Sequence, residues 1–156
     1  MSQPSAWNAE RAAAIIAAHR DRPGPALPIL HELQEVFGFI PREAVPMLAE
    51  ALNVSRAEMH GVVSFYHDFR SAPAGRHVLR LCRAEACQAA GGERLAASLL
   101  RRLGLGWGET TKDAGLTIEP VYCLGLCACA PAAMLDGEPH GRLDEARLGA
   151  LMESLA

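Results

Sequence analysis

Residues 116–131 read LTIEPVYCLGLCACAP. The first seven, LTIEPVY, have the composition of a strand, and Pro120 places that strand at a sheet edge or near its own end. Cys123 and Cys127 follow at once, with three residues between them. The same order occurs upstream: HVLRLC at 77–82 reads as a strand, and Cys82 is followed by Cys87 after four residues. Between the two lies a helix over 92–103, with Leu95, Leu99 and Leu103 on one face and Gly104 to end it. If the two strands are neighbours, their C-terminal ends bring four sulfurs to one end of a small sheet.

Working outward, AAML and PHGRL form a short hairpin around Asp136 and Gly137. A last helix carries Leu148, Leu151, Met152 and Leu155, with Asp144 as its cap. The second half is therefore strand, helix, strand, hairpin, helix, a small α/β layer. The first half reads as helices. Ala12, Ile15, Ile16 and His19 recur at helical spacing before Pro23 and Gly24. Leu30, Leu33, Val36 and Phe37 mark a second helix that ends near Gly38. Pro41 suits the first position of a third, in which Pro46 forces a break or a late start. Ser55 and Glu58 form a capping-box pattern opening a fourth through Val62, Val63 and Tyr66. SAPAGRH at 71–77 punctuates the chain, so the expected domains are a helical one over 1–74 and a cysteine-bearing one over 75–156.

The 156 residues suffice for one ordinary domain or two very small ones. Half are hydrophobic and the net charge is −3, a soluble composition without the basic surplus that nucleic-acid binding requires. No stretch reaches the roughly 18 apolar residues of a membrane span. The N-terminus, MSQPSAWNAE, lacks the basic-then-apolar pattern of a signal peptide. The expected location is cytoplasmic, where five cysteines stay reduced unless they bind metal or perform redox chemistry. The odd number also argues against a fully paired disulfide framework.

All five cysteines lie between Cys82 and Cys129. Soft thiolates select zinc or iron–sulfur clusters. Four-cysteine zinc sites usually leave a gap of about 15–20 residues between pairs, and the gap here is longer and holds folded elements. A [2Fe–2S] cluster takes four cysteines, two per iron. Gly125 lets the backbone approach it, and Leu124, Leu126 and Ala130 would limit water. On spacing alone, cluster and zinc both stand. A thioredoxin-type dithiol needs two residues between its cysteines, which neither pair has. Cysteines as plain core filler account for Cys129 better than for four placed in pairs after strands.

Four stretches carry a family resemblance: LPILHELQEVFGFIP at 27–41, HGVVSFYHDF at 60–69, LCRAEAC at 81–87 and CLGLCACAP at 123–131. With them the chain, over roughly residues 23–155, resembles the thioredoxin-like [2Fe–2S] ferredoxin family. That family occurs as a subunit of NAD-linked oxidoreductase complexes: respiratory complex I, NAD-reducing hydrogenases and soluble NAD-dependent formate dehydrogenases. LCRAEACQAAGG and VYCLGLCACAPAAMLDG resemble the formate dehydrogenase gamma subunit most. The resemblance implies an α+β chain with an N-terminal helical bundle and a thioredoxin-like [2Fe–2S] domain. It carries the cluster ligands onto Cys82, Cys87, Cys123 and Cys127 and favours the cluster over a structural zinc module. It also implies electron transfer with no substrate site on this chain. FMN, NAD, a molybdenum cofactor and further iron–sulfur clusters would sit on partner subunits, a flavin/NAD-binding one and a molybdenum-containing catalytic one. No GxGxxG nucleotide fingerprint occurs here, in agreement.

Other residues have competing readings. The helix pair before Tyr66 has helix-turn-helix order, but SRAEMHGVVSFY offers few base-reading side chains, so packing and subunit docking are expected. Phe65, Tyr66 and Phe69 serve as core or as partner anchors. His60 and His67, seven apart, could share a helix face; a metal pair is usually four apart. Arg76, Arg80 and Arg83 flank the first cysteine pair, either to offset a cluster's negative charge or as a solvated face.

Overall fold

A computed structural model describes residues 5–155. The chain divides into two compact units, Met1–Pro73 and Ala74–Ala156.

The first unit is built from helices α1 (Ala9–His19), α2 (Ala26–Phe37), α3 (Ala44–Ala51) and α4 (Arg56–Phe65). Asn8 caps α1, its side chain accepting from Arg11 N at 2.8 Å. Gly38 ends α2 with φ 80°, a left-handed conformation that glycine adopts without steric cost. The third helix starts late. Pro46 is its third residue, in the first turn, where a missing N–H leaves no helix bond unmade. Pro41 is not its first residue; it lies three residues earlier, wholly buried, and accepts from Ala44 N. The capping box on α4 is complete: Ser55 Oγ accepts from Glu58 N at 3.1 Å and Glu58 Oε2 from Ser55 N at 2.8 Å. The hydrogen bond that the Glu58 carboxylate accepts from Ser55 N, joined by the Ser55 hydroxyl, holds the Glu58 carboxyl below its usual value. Ile29, Leu30, Leu33 and Phe37 on one face of α2 pack with Ile15, Ile16, Leu48 and Met59 in a single core.

The second unit contains β1 (His77–Cys82), α5 (Glu85–Ala89), α6 (Gly92–Leu103), β2 (Leu116–Val121), a 3-10 turn at Cys127–Cys129, β3 (Ala133–Leu135), β4 (Glu138–His140) and α7 (Glu145–Glu153). The four strands make one mixed sheet in the order β2-β1-β3-β4. β1 runs parallel to β2, with Cys82 opposite Val121, and β3 is antiparallel to both β1 and β4. β2 is at an edge, as Pro120 requires. The other edge strand, β4, carries Pro139, and a proline on an edge discourages pairing with another chain. Asp136 and Gly137, at φ 53° and 92°, make the two-residue hairpin turn. The Asp136 carboxylate also ties down the start of β1, accepting from Val78 N at 2.8 Å and pairing with His77 Nδ1 at 2.6 Å. Leu79, Ile118 and Ala133 from the sheet meet Leu95 and Leu99 of α6 and Leu148 of α7. Asp144 caps α7 by accepting from Arg147 N at 2.8 Å. Among the described residues, no helix is long and apolar enough to cross a membrane.

Trp7 lies 5.2 Å from Phe37 in the first unit, and Trp107 lies 4.9 Å below the Arg83 guanidinium in the second. Single-tryptophan variants therefore report each core. Leu33→Ala, read through Trp7, and Leu79→Ala, read through Trp107, should each cost about 2–5 kcal/mol in urea unfolding. A loss under about 1 kcal/mol would contradict the packing described.

Candidate metal centre

Cys82 is the last residue of β1. Its N–H donates to Ala132 O at 3.0 Å, and the next N–H, of Arg83, to Val121 O at 2.8 Å. The chain then turns, and one short helix, α5, carries Cys87 back beneath it. Gln88 Nε2 closes this turn on Arg83 O at 2.6 Å. Both cysteines are buried, at 7% and 2% exposure. They pack with Ala132 and against Ala84, Val121, Leu124, Leu126 and Ala130.

The second pair leaves the neighbouring strand at the same end of the sheet. Cys123 has φ 140°, a conformation that residues with a β-carbon adopt rarely and that clusters at functional sites. Gly125, at φ 75°, turns the chain back so that its N–H donates to Cys123 Sγ at 3.3 Å. Cys127 opens the 3-10 turn, which Cys129 N closes on Leu126 O at 2.9 Å. Cys123 and Cys127 are exposed, and Cys129 is half-buried.

The two pairs are adjacent. Burial pushes the Cys87 thiol up, and its hydrogen bond with Cys82 pushes it further. The Cys127 thiol is raised chiefly by its hydrogen bond with Cys123, and it also feels Cys82 across the gap between the loops. The fold thus delivers both cysteine pairs singled out in the sequence to one end of the sheet, one pair inside and one at the surface. Among the described residues, no group of three or more His, Cys, Asp or Glu side chains is arranged around one ion. The chemistry of the donor set fits a [2Fe–2S] group: four free sulfurs in two pairs, apolar packing beneath them and a backbone N–H already donating to a thiol sulfur.

The three arginines are each matched by a carboxylate. Arg76 is 3.7 Å from Asp113, Arg80 Nε 3.0 Å from Glu119, and Arg83 within 3.2 Å of Glu93. Arg83 also covers Trp107, which braces the loop after Cys82; the sequence held no local signal for this contact. His60 and His67 do not share a helix face, because α4 ends at Phe65. Phe65 and Tyr66 are 73% and 42% exposed, whereas Phe69 is core. Tyr122, beside Cys123, is 71% exposed.

In the metal-free, reduced chain, a thiol-alkylating reagent should label Cys123 and Cys127 well before Cys82 and Cys87, as followed by peptide mass spectrometry. Labelling of Cys87 as fast as Cys123 would contradict the burial of the first pair.

The thioredoxin-like [2Fe-2S] ferredoxin family matches residues 12–156. One of the NADH-quinone oxidoreductase subunits of Rhizobium meliloti is 37% identical over 145 residues, covering 93% of this chain and 86% of that protein. The NADP-reducing hydrogenase subunit HndA of Solidesulfovibrio fructosivorans is 32% identical over 120 residues, covering 77% and 70%. Among solved structures, an NAD+-reducing [NiFe]-hydrogenase in the air-oxidized state superposes with a TM-score of 0.70 at 32% identity over 87% of this chain. The chain spans only 23% of that hydrogenase chain. With nearly the whole sequence matched and the two cysteine loops converging at one sheet end, the chain belongs to the thioredoxin-like [2Fe-2S] ferredoxin family.

Proposed function

We propose that this chain is the [2Fe–2S] electron-carrying subunit of a multisubunit NAD-linked oxidoreductase, with Cys82, Cys87, Cys123 and Cys127 as iron ligands. One observation carries the reading: two cysteine pairs leave adjacent parallel strands at the same end, one pair buried and one exposed. When bound, the cluster supplies one-electron redox chemistry. Cys82 and Cys87 hold it from the protein side, where Val121, Leu124, Leu126 and Ala130 exclude water. Cys123 and Cys127 hold it from the solvent side, where a partner can approach closely enough to exchange electrons. Gly125 N–H, directed at Cys123 Sγ, stabilises negative charge on that sulfur. Arg80 and Arg83 are engaged by Glu119 and Glu93, so they brace loops more than they offset cluster charge.

The partner next to this chain is a flavin/NAD-binding subunit, and the location is cytoplasmic, where free thiols persist. The finer reading is the gamma subunit of an NAD-dependent formate dehydrogenase with a molybdenum-containing catalytic subunit. Its support is the small-residue insert in LCRAEACQAAGG and the Cys129-bearing VYCLGLCACAPAAMLDG. The names of the relatives favour a second reading, the equivalent subunit of a complex I or of a hydrogenase.

Anaerobic purification followed by metal analysis and electron paramagnetic resonance tests the ligand assignment. Cys82→Ser, Cys87→Ser, Cys123→Ser and Cys127→Ser should each lose most of the visible absorption or alter the reduced-state signal, while Cys129→Ser keeps both. Equal losses at all five positions, or stoichiometric zinc in the wild type, would overturn it. A tagged chain should copurify with a flavin-containing subunit, and formate should then reduce NAD+. Hydrogen-driven or quinone-linked turnover instead would select the second reading.

A further inference from the structure

We propose that Gly92 and Gly141 are positioning residues for the two cysteine turns, an inference that rests on the ligand assignment above. Most of the turn glycines here meet a demand of the backbone: Gly38, Gly91, Gly104, Gly125 and Gly137 all have positive φ. Gly92 and Gly141 do not, so a positive φ is not what calls for glycine there. What they lack is room. A β-carbon on Gly92 would lie 2.7 Å from Cys87 O and 3.2 Å from Cys87 C. A β-carbon on Gly141 would lie 2.7 Å from Cys129 Cβ and 2.9 Å from Cys129 O. In both cases the obstruction includes backbone, which cannot swing aside as a long side chain can.

Each glycine is the seat of one cysteine turn. Gly92 is the first residue of α6 and lets that helix start directly against the turn that carries Cys87. Gly141 follows β4 and lets the segment before α7 lie flat on the 3-10 turn that begins at Cys127. Two hydrogen bonds fix that contact, Arg142 N to Cys129 O at 2.6 Å and Leu143 N to Pro131 O at 3.0 Å. Each acts through the backbone of the turn, and a displacement of a few tenths of an ångström there moves the ligand sulfurs relative to one another.

Two other glycines separate positioning from plain structure. Gly75 is also crowded, 2.9 Å from Leu116 N, but it lies just before β1, at the far end of the strands from the cysteines. Gly149 in α7 has nothing within 4 Å. The experiment uses the iron-loaded full chain and compares Gly92→Ala, Gly141→Ala, Gly75→Ala and Gly149→Ala. It reads the thermal midpoint, the rate of iron loss to a chelator and the g-values of the reduced state. Gly92→Ala and Gly141→Ala should lose iron about tenfold faster and shift the g-values. Gly75→Ala should lower the midpoint with unchanged g-values, and Gly149→Ala should match wild type in iron loss and g-values.

Cys129→Gly removes the β-carbon that Ala at 141 would strike. Cys129 O stays 2.9 Å from that position, so the double variant Cys129→Gly/Gly141→Ala should recover part, not all, of the iron retention of Cys129→Gly alone, even where Gly141→Ala by itself folds poorly. Wild-type g-values in both test variants, the same g-value shift in Gly75→Ala, or no recovery in the double variant would overturn the proposal. A wild-type chain without a reduced-state signal would instead overturn the ligand assignment, and this proposal with it.

Discussion

Parallel hydrogen bonding between β1 and β2, with Cys82 aligned on Val121, is the constraint on which the cysteine centre depends. Parallel neighbours must end at the same side of the sheet. Whatever follows the two strands is therefore delivered to one place, and here each is followed by a pair of cysteines. An antiparallel pairing of the same segments would have put the two pairs at opposite ends. The register matters as well: Arg83 N donates to Val121 O at 2.8 Å, one residue past the last strand pair, so the ladder holds right up to the point where the loops diverge.

The two loops then take different roles. The first turns inward through a short helix and buries Cys87 completely enough that desolvation raises its thiol. The second stays at the surface, bends through Cys123 and Gly125 at positive φ, and leaves Cys123 and Cys127 open to solvent. A metal group held between them, as proposed, would have a dry side and an open side. The dry side sets the surroundings of the sulfurs; the open side, with exposed Tyr122 beside it, is where charge can leave the chain. On the proposed ligand assignment, metal binding would displace the protons that burial and neighbouring thiols hold on Cys87 and Cys127.

Much of this was legible in the sequence, for local reasons. Strand β1, helix α6 and the hairpin each carry a strong period or turn signature, and Asp136-Gly137, Ser55-Glu58 and Asp144 mark their positions by side-chain chemistry that acts within a few residues. The pairing of the cysteines after strands was legible for the same reason. The unread parts depend on contacts between distant segments. The short helix α5 has five residues and no side-chain cap, so no periodicity could reveal it. His67 falls outside α4 because Tyr66 leaves the helical conformation at ψ 101°. Arg83 finds Glu93 and Trp107 only once α6 folds back, and the crowding at Gly92 and Gly141 appears only when other backbone lies against them. The late start of α3 was open in the sequence; Pro46 in the first turn is the arrangement that leaves no helix bond missing.

The proposed centre requires four cysteine sulfurs around a pair of irons. The most direct test is the Mössbauer spectrum of the chain loaded with isotopically enriched iron. Two sulfur-coordinated tetrahedral ferric ions are expected, coupled to a diamagnetic state when oxidised, and after uptake of one electron a localised ferrous and ferric ion. A single isolated iron per chain, or a spectrum that one electron leaves unchanged, would contradict it.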